Sequence, residues 1–185
     1  MEQKEYTISI LTEDKPGLLN KITIIFNRRK INIISLNVSS TEVDGVSRYT
    51  LVVALTTIEV EKIVKQIRKV VDVLGSFYYD TDEVYYREIA LYKLSREVFN
   101  DNPKLENLIR LHGASIMATE GNQIVIEKTG TKQDTHELYA ALQPYDLLEF
   151  VRSGRIALSK SKRRTEAFIH ELETSSSNTL SIKEF

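Results

Sequence analysis

Apolar and polar residues alternate near the start of the chain and then recur at helical spacing. Residues 6–11 alternate and are rich in β-branched side chains, which predicts a half-buried strand. After the turn TEDKPG, apolar residues three and four positions apart predict a helix with one buried face. Residues 31–41 and 47–55 return to strand-like composition around Asp44-Gly45, so a β-hairpin follows this helix.

A second amphipathic segment and a further strand follow the hairpin. Glutamate, lysine and arginine occupy the face opposite an apolar stripe, which predicts a helix packed on a sheet. Residues 71–79 predict a closing strand, and the order becomes strand, helix, strand, strand, helix, strand. The apolar stripe consists of Val60, Ile63, Val64, Ile67, Val70 and Val71.

The same order of elements recurs, more weakly, in the second half. Residues 85–94 predict a strand, and residues 95–111 predict a helix interrupted near Asn102-Pro103, because proline cannot continue a helix. A second hairpin (residues 114–128), a helix (residues 131–142) and a final apolar stretch after Pro144 complete the pattern. We therefore expect an α+β fold of two ferredoxin-like βαββαβ sandwiches in tandem, each with helices on one face of an antiparallel sheet.

The acidic segment at residues 80–83 is the predicted linker between two domains. The first domain is expected to span residues 5–80 and the second residues 84–160. Residues 161–185 form a basic and serine-rich tail, which the composition predicts to be solvated. The basic run KSKRR at residues 160–164 has a second interpretation, contact with nucleic acid or with a negative surface of a partner.

The net charge of the chain is too small to attract a charged partner through a long-range electrostatic field. The chain has 185 residues, 42% apolar content and a formal net charge of -1, so we expect a soluble protein that binds neither nucleic acid nor membrane. Cysteine is absent, which excludes disulfides and thiolate metal sites. No export leader and no run of roughly 18 apolar residues is evident, and a cytoplasmic location is expected.

Catalytic and nucleotide-binding motifs are missing from the sequence. The three histidines are far apart, no serine lies in a G-x-S-x-G motif, and no glycine-rich phosphate loop is present. RNA-recognition modules share the order of elements, but residues 47–53 lack their glycine and aromatic pattern. We therefore predict no catalytic residue, no metal site and no cofactor in this chain.

The stretch TEDKPGLL is a candidate ligand site. A helix N-terminus presents unpaired backbone N–H groups and the positive end of the helix dipole, which together attract a carboxylate. Gly17 removes the side chain that would shield these groups, and Pro16 fixes the approach of the chain. Asp14 either caps the helix or accepts a hydrogen bond from a ligand ammonium group. The second arrangement has the polarity of a site for a free amino acid.

This loop, within a βαββαβ order, resembles the ACT domain, an amino-acid-binding regulatory module. The whole chain to about Lys160 is similar to the small regulatory subunit family of acetolactate synthase, also called acetohydroxyacid synthase. The resemblance rests on EDKPGLL and on five further stretches in order. They are NIISL at residues 32–36, SRYT at 47–50, VDVL at 71–74, REIAL at 87–91 and SGRIALS at 153–159.

The resemblance implies a homodimer in which two N-terminal sheets lie edge to edge and an effector binds at their junction. The effector would be a branched-chain amino acid, with valine the first choice. The C-terminal domain would contact and activate the catalytic large subunit, to which thiamine diphosphate, magnesium and FAD would belong. The effector-binding residues would be Asp14, Pro16, Gly17 and Leu18 of one chain and Asn32 and Ile33 of the other.

Two other classes of function remain open at this point. A free-standing ACT-type sensor would bind an amino acid and control another protein or a transcript. A small enzyme would need turnover by the isolated chain, and no set of residues in the sequence indicates a catalytic site.

Overall fold

The computed structural model describes residues 2–161 together with residues 168 and 170. These residues form two compact units. The first contains residues 2–85 and the described residues from 157 onward, and the second contains residues 86–156.

The first unit has the predicted order of elements and a four-stranded antiparallel sheet. The strands are arranged in the order β2-β3-β1-β4, so β2 and β4 are the two edges. The elements are β1 (Lys4–Glu13), α1 (Leu18–Arg28), β2 (Ile33–Ser40), β3 (Val46–Leu55), α2 (Thr57–Ile67) and β4 (Val73–Asp80).

Both helices of this unit cover one face of the sheet. Ile22 and Phe26 of α1 are fully buried, as are Ile63 and Ile67 of α2. Each such side chain stabilises the fold by about 1.5–3 kcal/mol when it leaves water, so the predicted helical periodicity accounts for the packing. They pack against a layer of strand residues that comprises Tyr6, Ile8, Ile10, Leu51 and Val53.

The second helix ends earlier than the apolar stripe predicts. Arg68 is the C-cap of α2, so Val70 and Val71 lie beyond the helix, and Val71 is 75% exposed. Asp72 adopts a left-handed backbone conformation (φ 72°), which reverses the chain into β4. The prediction that Val71 belongs to the buried stripe was therefore wrong, because the chain turns before another helical turn can form.

The second sheet has more elements than the simple repeat predicts. Its strand order is β6-β7-β5-β8, and β9 also pairs with β5. The predicted helix is broken at Asn102-Pro103 into α3 and α4, as expected from the proline, whereas β9 was not predicted. The elements are β5 (Val84–Ser95), α3 (Arg96–Asp101), α4 (Lys104–Leu111), β6 (Ser115–Glu120), β7 (Gln123–Gly130), α5 (Lys132–Leu142), β8 (Glu149–Arg152) and β9 (Ile156–Ser159).

A separate core lies between this sheet and its helices. Tyr92 at its centre donates a hydrogen bond of 2.6 Å to the backbone oxygen of Thr135, and burial raises the pKa of Tyr92 to about 12. A capping box of Thr131 and Asp134 begins α5. Further fully buried residues of this core are Leu94, Leu105, Ile126, Leu138 and Leu142. In the described part of the chain, no helix is long and apolar enough to cross a membrane.

Candidate functional site at the start of the first helix

The N-terminus of α1 is formed without a side-chain cap. Gly17 is the N-cap residue, and its φ of 84° and ψ of -8° lie in the left-handed region that glycine adopts most easily. Among the described residues, no side chain caps the N–H groups of this helix end, and no acidic residue lies in the first turn. Thr56 and Thr131, in contrast, build capping boxes at α2 and α5. The first backbone N–H groups of α1 therefore lack the acceptors that those two helices have.

Space around Gly17 is open. A Cβ atom placed on Gly17 would have no heavy atom within 4 Å, and both Pro16 and Gly17 are exposed. Leu18 behaves differently, because its side chain is only 1% exposed and belongs to the core. Only the backbone of Leu18 can therefore face a ligand, while the glycine leaves that approach unobstructed.

Two backbone hydrogen bonds fix the loop between β1 and α1. The N–H group of Glu13 donates to the backbone oxygen of Asp72 at 2.9 Å, and that of Asp14 donates to the backbone oxygen of Gly45 at 2.8 Å. The loop is thus held by the start of β4 on one side and by the β2–β3 turn on the other. Nothing in the local sequence identifies Gly45 or Asp72 as supports, because these contacts are made between residues far apart in the chain.

Asp14 does not cap α1. Its carboxylate accepts a hydrogen bond of 3.1 Å from the hydroxyl of Ser47 at the start of β3. One of the two interpretations of Asp14 is therefore wrong, since Ser47 holds the side chain on the β3 side of the loop. The structure leaves the carboxylate exposed beside the helix N-terminus, where it can act as a hydrogen-bond acceptor.

A cluster of charges surrounds the base of the loop. The ammonium group of Lys15 pairs with Asp72 at 2.9 Å and also contacts the carboxylate of Glu13, and Lys21 lies 3.5 Å from Asp72. Hydrogen bonds to Glu13 and Asp72 raise the pKa of Lys15 to about 12. The hydrogen bond from Lys15 lowers the pKa of Asp72 in turn. These pairs hold Lys15 towards Asp72 and help to fix the loop backbone.

Asn32 and Ile33 lie at the opposite end of the sheet from this loop. Ile33 is level with Val53, which in turn is level with Tyr6 near the start of β1. The loop follows Glu13, at the other end of β1, so about 3.3 Å per residue places the two groups roughly 23 Å apart. Asn32 is exposed, and Ile33 is half-buried against the core. A single chain therefore does not bring together the six residues predicted to form the site.

The β2 edge carries exposed apolar side chains. Ile34 and Val38 on this edge strand are 42% and 43% exposed, and Leu19 on α1 is 43% exposed. Edge strands with unpaired backbone groups and apolar side chains are surfaces for strand addition. This edge is thus a candidate surface for a second sheet.

The described part of the chain contains no cluster of histidine, aspartate and glutamate that could hold a metal ion. His112 is half-buried, and His136 stacks on Tyr139 with 5.6 Å between the ring centres. Neither histidine contributes to the arrangement around Gly17.

Comparison with known proteins agrees with this architecture over both units. A family model described as the AHAS small subunit-like ACT domain matches residues 8–75, and one described as the small subunit of acetolactate synthase matches residues 87–161. The crystal structure of the acetolactate synthase small subunit from Thermotoga maritima is 27% identical, with a TM-score of 0.77. That match covers 86% of this chain and 99% of the Thermotoga chain.

Curated relatives extend the same similarity to sequence. The acetolactate synthase small subunit of Mycobacterium bovis is 32% identical over 88% of this chain and 96% of its own length. That of Bacillus subtilis is 31% identical over 95% of this chain and 97% of its own length. The chain therefore belongs to the acetolactate synthase small-subunit family.

Proposed function

We propose that this chain is the non-catalytic regulatory subunit of acetolactate synthase. It activates the catalytic subunit and confers feedback inhibition by a branched-chain amino acid, with valine the first choice. The observation that carries the proposal is the uncapped N-terminus of α1 at Gly17, which is open to solvent on a loop with a fixed backbone. Similarity to proteins named acetolactate synthase small subunit supports the same assignment.

The polar groups of the loop match the two charged ends of an amino acid. The N–H groups at the start of α1 and the helix dipole stabilise the carboxylate of the effector. Asp14 accepts from its ammonium group, an orientation that keeps the two carboxylates apart and avoids their repulsion. The hydroxyl of Ser47 donates a hydrogen bond to the carboxylate of Asp14 and holds it in this position. An aliphatic side chain of the effector then faces apolar surface.

A second copy of the chain supplies the rest of the site. If the β2 edges of two chains pair antiparallel about a twofold axis, Ile33 of one chain approaches the Ser40 end of the other. Ser40 is level with Ser47, which is level with Thr12 beside the loop. The separation of roughly 23 Å along the strands is thereby removed across the dimer. Exposed Ile34 and Val38 support this edge as the interface.

Regulation requires the effector to distinguish two arrangements of the complex. Valine inhibits only if it binds the less activating arrangement more tightly, because a ligand shifts an equilibrium by its difference in affinity. The second unit contacts the catalytic subunit in this proposal. Thiamine diphosphate, magnesium and FAD are held by that partner, and this chain contributes binding and conformational change.

One mixing experiment tests both parts of the proposal. The catalytic subunit is assayed for acetolactate formation with and without this chain, each with and without valine, while calorimetry measures valine binding to the chain. We expect higher activity with the chain and a loss of that increase with valine. No binding heat and no thermal shift at millimolar branched-chain amino acid would overturn the sensing role. Binding without activation would instead identify a free-standing sensor.

Replacement of Gly17 by aspartate tests the site itself. The new carboxylate lies where the effector carboxylate would bind, so we expect Gly17→Asp to lose inhibition by valine, with at least a tenfold rise in the half-inhibiting concentration. Activation without valine should persist, because a Cβ atom at position 17 meets no heavy atom within 4 Å. The assay is a valine titration of the reconstituted enzyme.

Gly121→Asp is the matched control. Gly121 also has a positive φ (54°) and open space around it, but it lies in the β6–β7 turn of the second unit. Both substitutions carry a similar backbone cost of about 1–2 kcal/mol, and only the first should change the response to valine. Full sensitivity of Gly17→Asp would show that the site lies elsewhere.

A further inference from the structure

The face of the first sheet opposite its helices is partly covered by the C-terminal part of the chain. Residues that alternate with the core positions of β1 line a cavity of about 90 Å³ on this face. Three polar residues (Thr7, Ser9 and Arg48) and three aromatic residues (Phe77, Tyr79 and Phe168) contribute to its lining.

Phe168 makes close and specific contacts with β4. Its ring packs edge-on against Phe77 with 5.4 Å between the ring centres and an angle of 76° between the planes. A Cβ atom added to Gly75 would lie 2.7 Å from Cε1 and 2.9 Å from Cζ of Phe168. Glycine at position 75 thus provides the space that the ring occupies. Phe77 and Gly75 therefore both contribute to the site on β4 that holds the ring of Phe168.

Phe168 also belongs to the small apolar cluster beneath the candidate site. Leu11 and Val46 are the buried members of this cluster, and Val43, Leu74 and Phe168 pack against them. Leu11 lies two positions before the end of β1, Val46 follows Gly45, and Leu74 follows Asp72 by two positions. The ring therefore packs in a cluster whose members lie close in sequence to the loop and to both residues that hold its backbone.

Phe168 lies beyond the part of the chain that the family model covers. That match ends at residue 161, and the sequence predicts a solvated tail from this point onward. For Phe168 the prediction was wrong, because the side chain is half-buried against the cluster of Leu11 and Val46. The predicted behaviour of residues 162–167, 169 and 171–185 lies outside the described residues.

We propose that Phe168 is a positioning residue for the effector site and couples the C-terminal extension to effector affinity. The inference rests on the proposed function, since it concerns the same loop. Phe168 touches no effector atom; it acts through Leu11, Val46 and Leu74, which set the backbone that presents Asp14 and Gly17. A loop that is already ordered loses less conformational freedom when the ligand binds. Removal of the ring should therefore weaken binding without changing the polar groups of the site.

The first test removes the ring. We expect Phe168→Ala to raise the valine concentration for half-inhibition and the dissociation constant by calorimetry, each roughly three- to tenfold. A chain that ends at Ser161 should behave in the same way. Phe168→Leu, which keeps apolar volume, should restore most of the affinity. Activation of the catalytic subunit without valine should stay unchanged, a result that general loss of structure would not give.

The second test approaches the same contact from β4. Gly75→Ala should displace the ring of Phe168 and weaken valine binding in the full chain. In the Phe168→Ala background the same change should have a smaller effect, because the clash with the ring is gone and only the milder contact with Cε2 of Phe77 at 3.1 Å remains. Leu111→Ala, at a position that is 77% exposed in the second unit, is the control for loss of an apolar side chain and should have no effect.

The outcomes separate this inference from the proposed function. Absence of valine binding by the unsubstituted chain would overturn both. Normal binding by the unsubstituted chain, together with unchanged affinity in Phe168→Ala, would overturn the positioning role alone. Additive effects of Gly75→Ala and Phe168→Ala would do the same. If Phe168→Ala does not fold, Phe168→Leu and Gly75→Ala carry the test, and unchanged affinity in Gly75→Ala then counts against the inference.

Discussion

Asp72 shows how a single residue supports the candidate site from a distance. Its backbone oxygen accepts from Glu13, its carboxylate pairs with Lys15 and Lys21, and its left-handed conformation turns the chain into β4. Aspartate and asparagine tolerate this conformation better than most residues. Asp72→Asn should therefore keep the backbone while it removes the charge.

Stability should depend on pH through this carboxylate. The hydrogen bond from Lys15 lowers the folded-state pKa of Asp72 below its ordinary value of 3.8. The contribution is thus complete above pH 3.8 and is lost as the pH falls through the lowered pKa. Asp72→Asn should be less stable than the unsubstituted chain at pH 6, with the difference shrinking below pH 4 in urea unfolding experiments.

Asp146→Asn is the matched control for this effect. Asp146 is an exposed aspartate with a similar left-handed backbone (φ 54°), but it lies in the second unit. Its substitution should leave stability nearly unchanged. A difference between Asp72→Asn and the unsubstituted chain that stays constant down to pH 2 would contradict an electrostatic role for Asp72.

At this scale the sequence predicts local features and misses distant ones. Asp14, Pro16 and Gly17 could be singled out because a helix N-terminus is encoded by adjacent residues. Ser47 and Asp72 could not, since their contacts with the loop depend on strand pairing across the whole sheet. The interpretation of Asp14 as a cap failed for the same reason.

Among the elements, β2 combines an edge position with half-exposed apolar residues. Ile34 and Val38 remain accessible although Leu36 between them packs towards the core. An edge of this kind favours strand pairing with another chain, whereas a lysine on an edge strand opposes it. The dimer of the proposed function therefore depends on β2.

Val38→Lys tests this interface. Two lysines brought near a twofold axis repel each other, so we expect sedimentation velocity to show a shift from dimer to monomer and calorimetry to show weaker valine binding. Val71→Lys is the control, because Val71 is 75% exposed in the segment between α2 and β4. A dimer that persists in Val38→Lys with an unchanged valine response would exclude this edge as the interface.

Boundaries of elements were predicted less well than their order. The proline correctly divides the helix of the second unit, because a missing N–H group acts locally. The early end of α2 escaped prediction since Val70 and Val71 continue the apolar period while the backbone already turns. The short strand β9 carries only four residues, too few for a periodic signal.

For the whole molecule, the two-unit architecture followed from the repeated order of elements, and the cores form where the periodicity places them. The position of Phe168 did not follow from sequence. The sequence around Phe168 is basic, acidic and serine-rich. The apolar cluster to which the ring belongs contains residues of β1, β3 and β4. A long-range contact of one aromatic residue leaves no periodic pattern.

The register that separates Asn32 from the loop at Gly17 has a genetic consequence. In the proposed dimer, a Gly17→Asp chain and an Asn32→Asp chain would each disrupt both effector sites of their own homodimer. When the two are expressed together, each hybrid molecule carries one site with both lesions and one with none. Valine sensitivity should then return in part to the mixed strain, and complementation between the two defective alleles would show that two chains share each effector site.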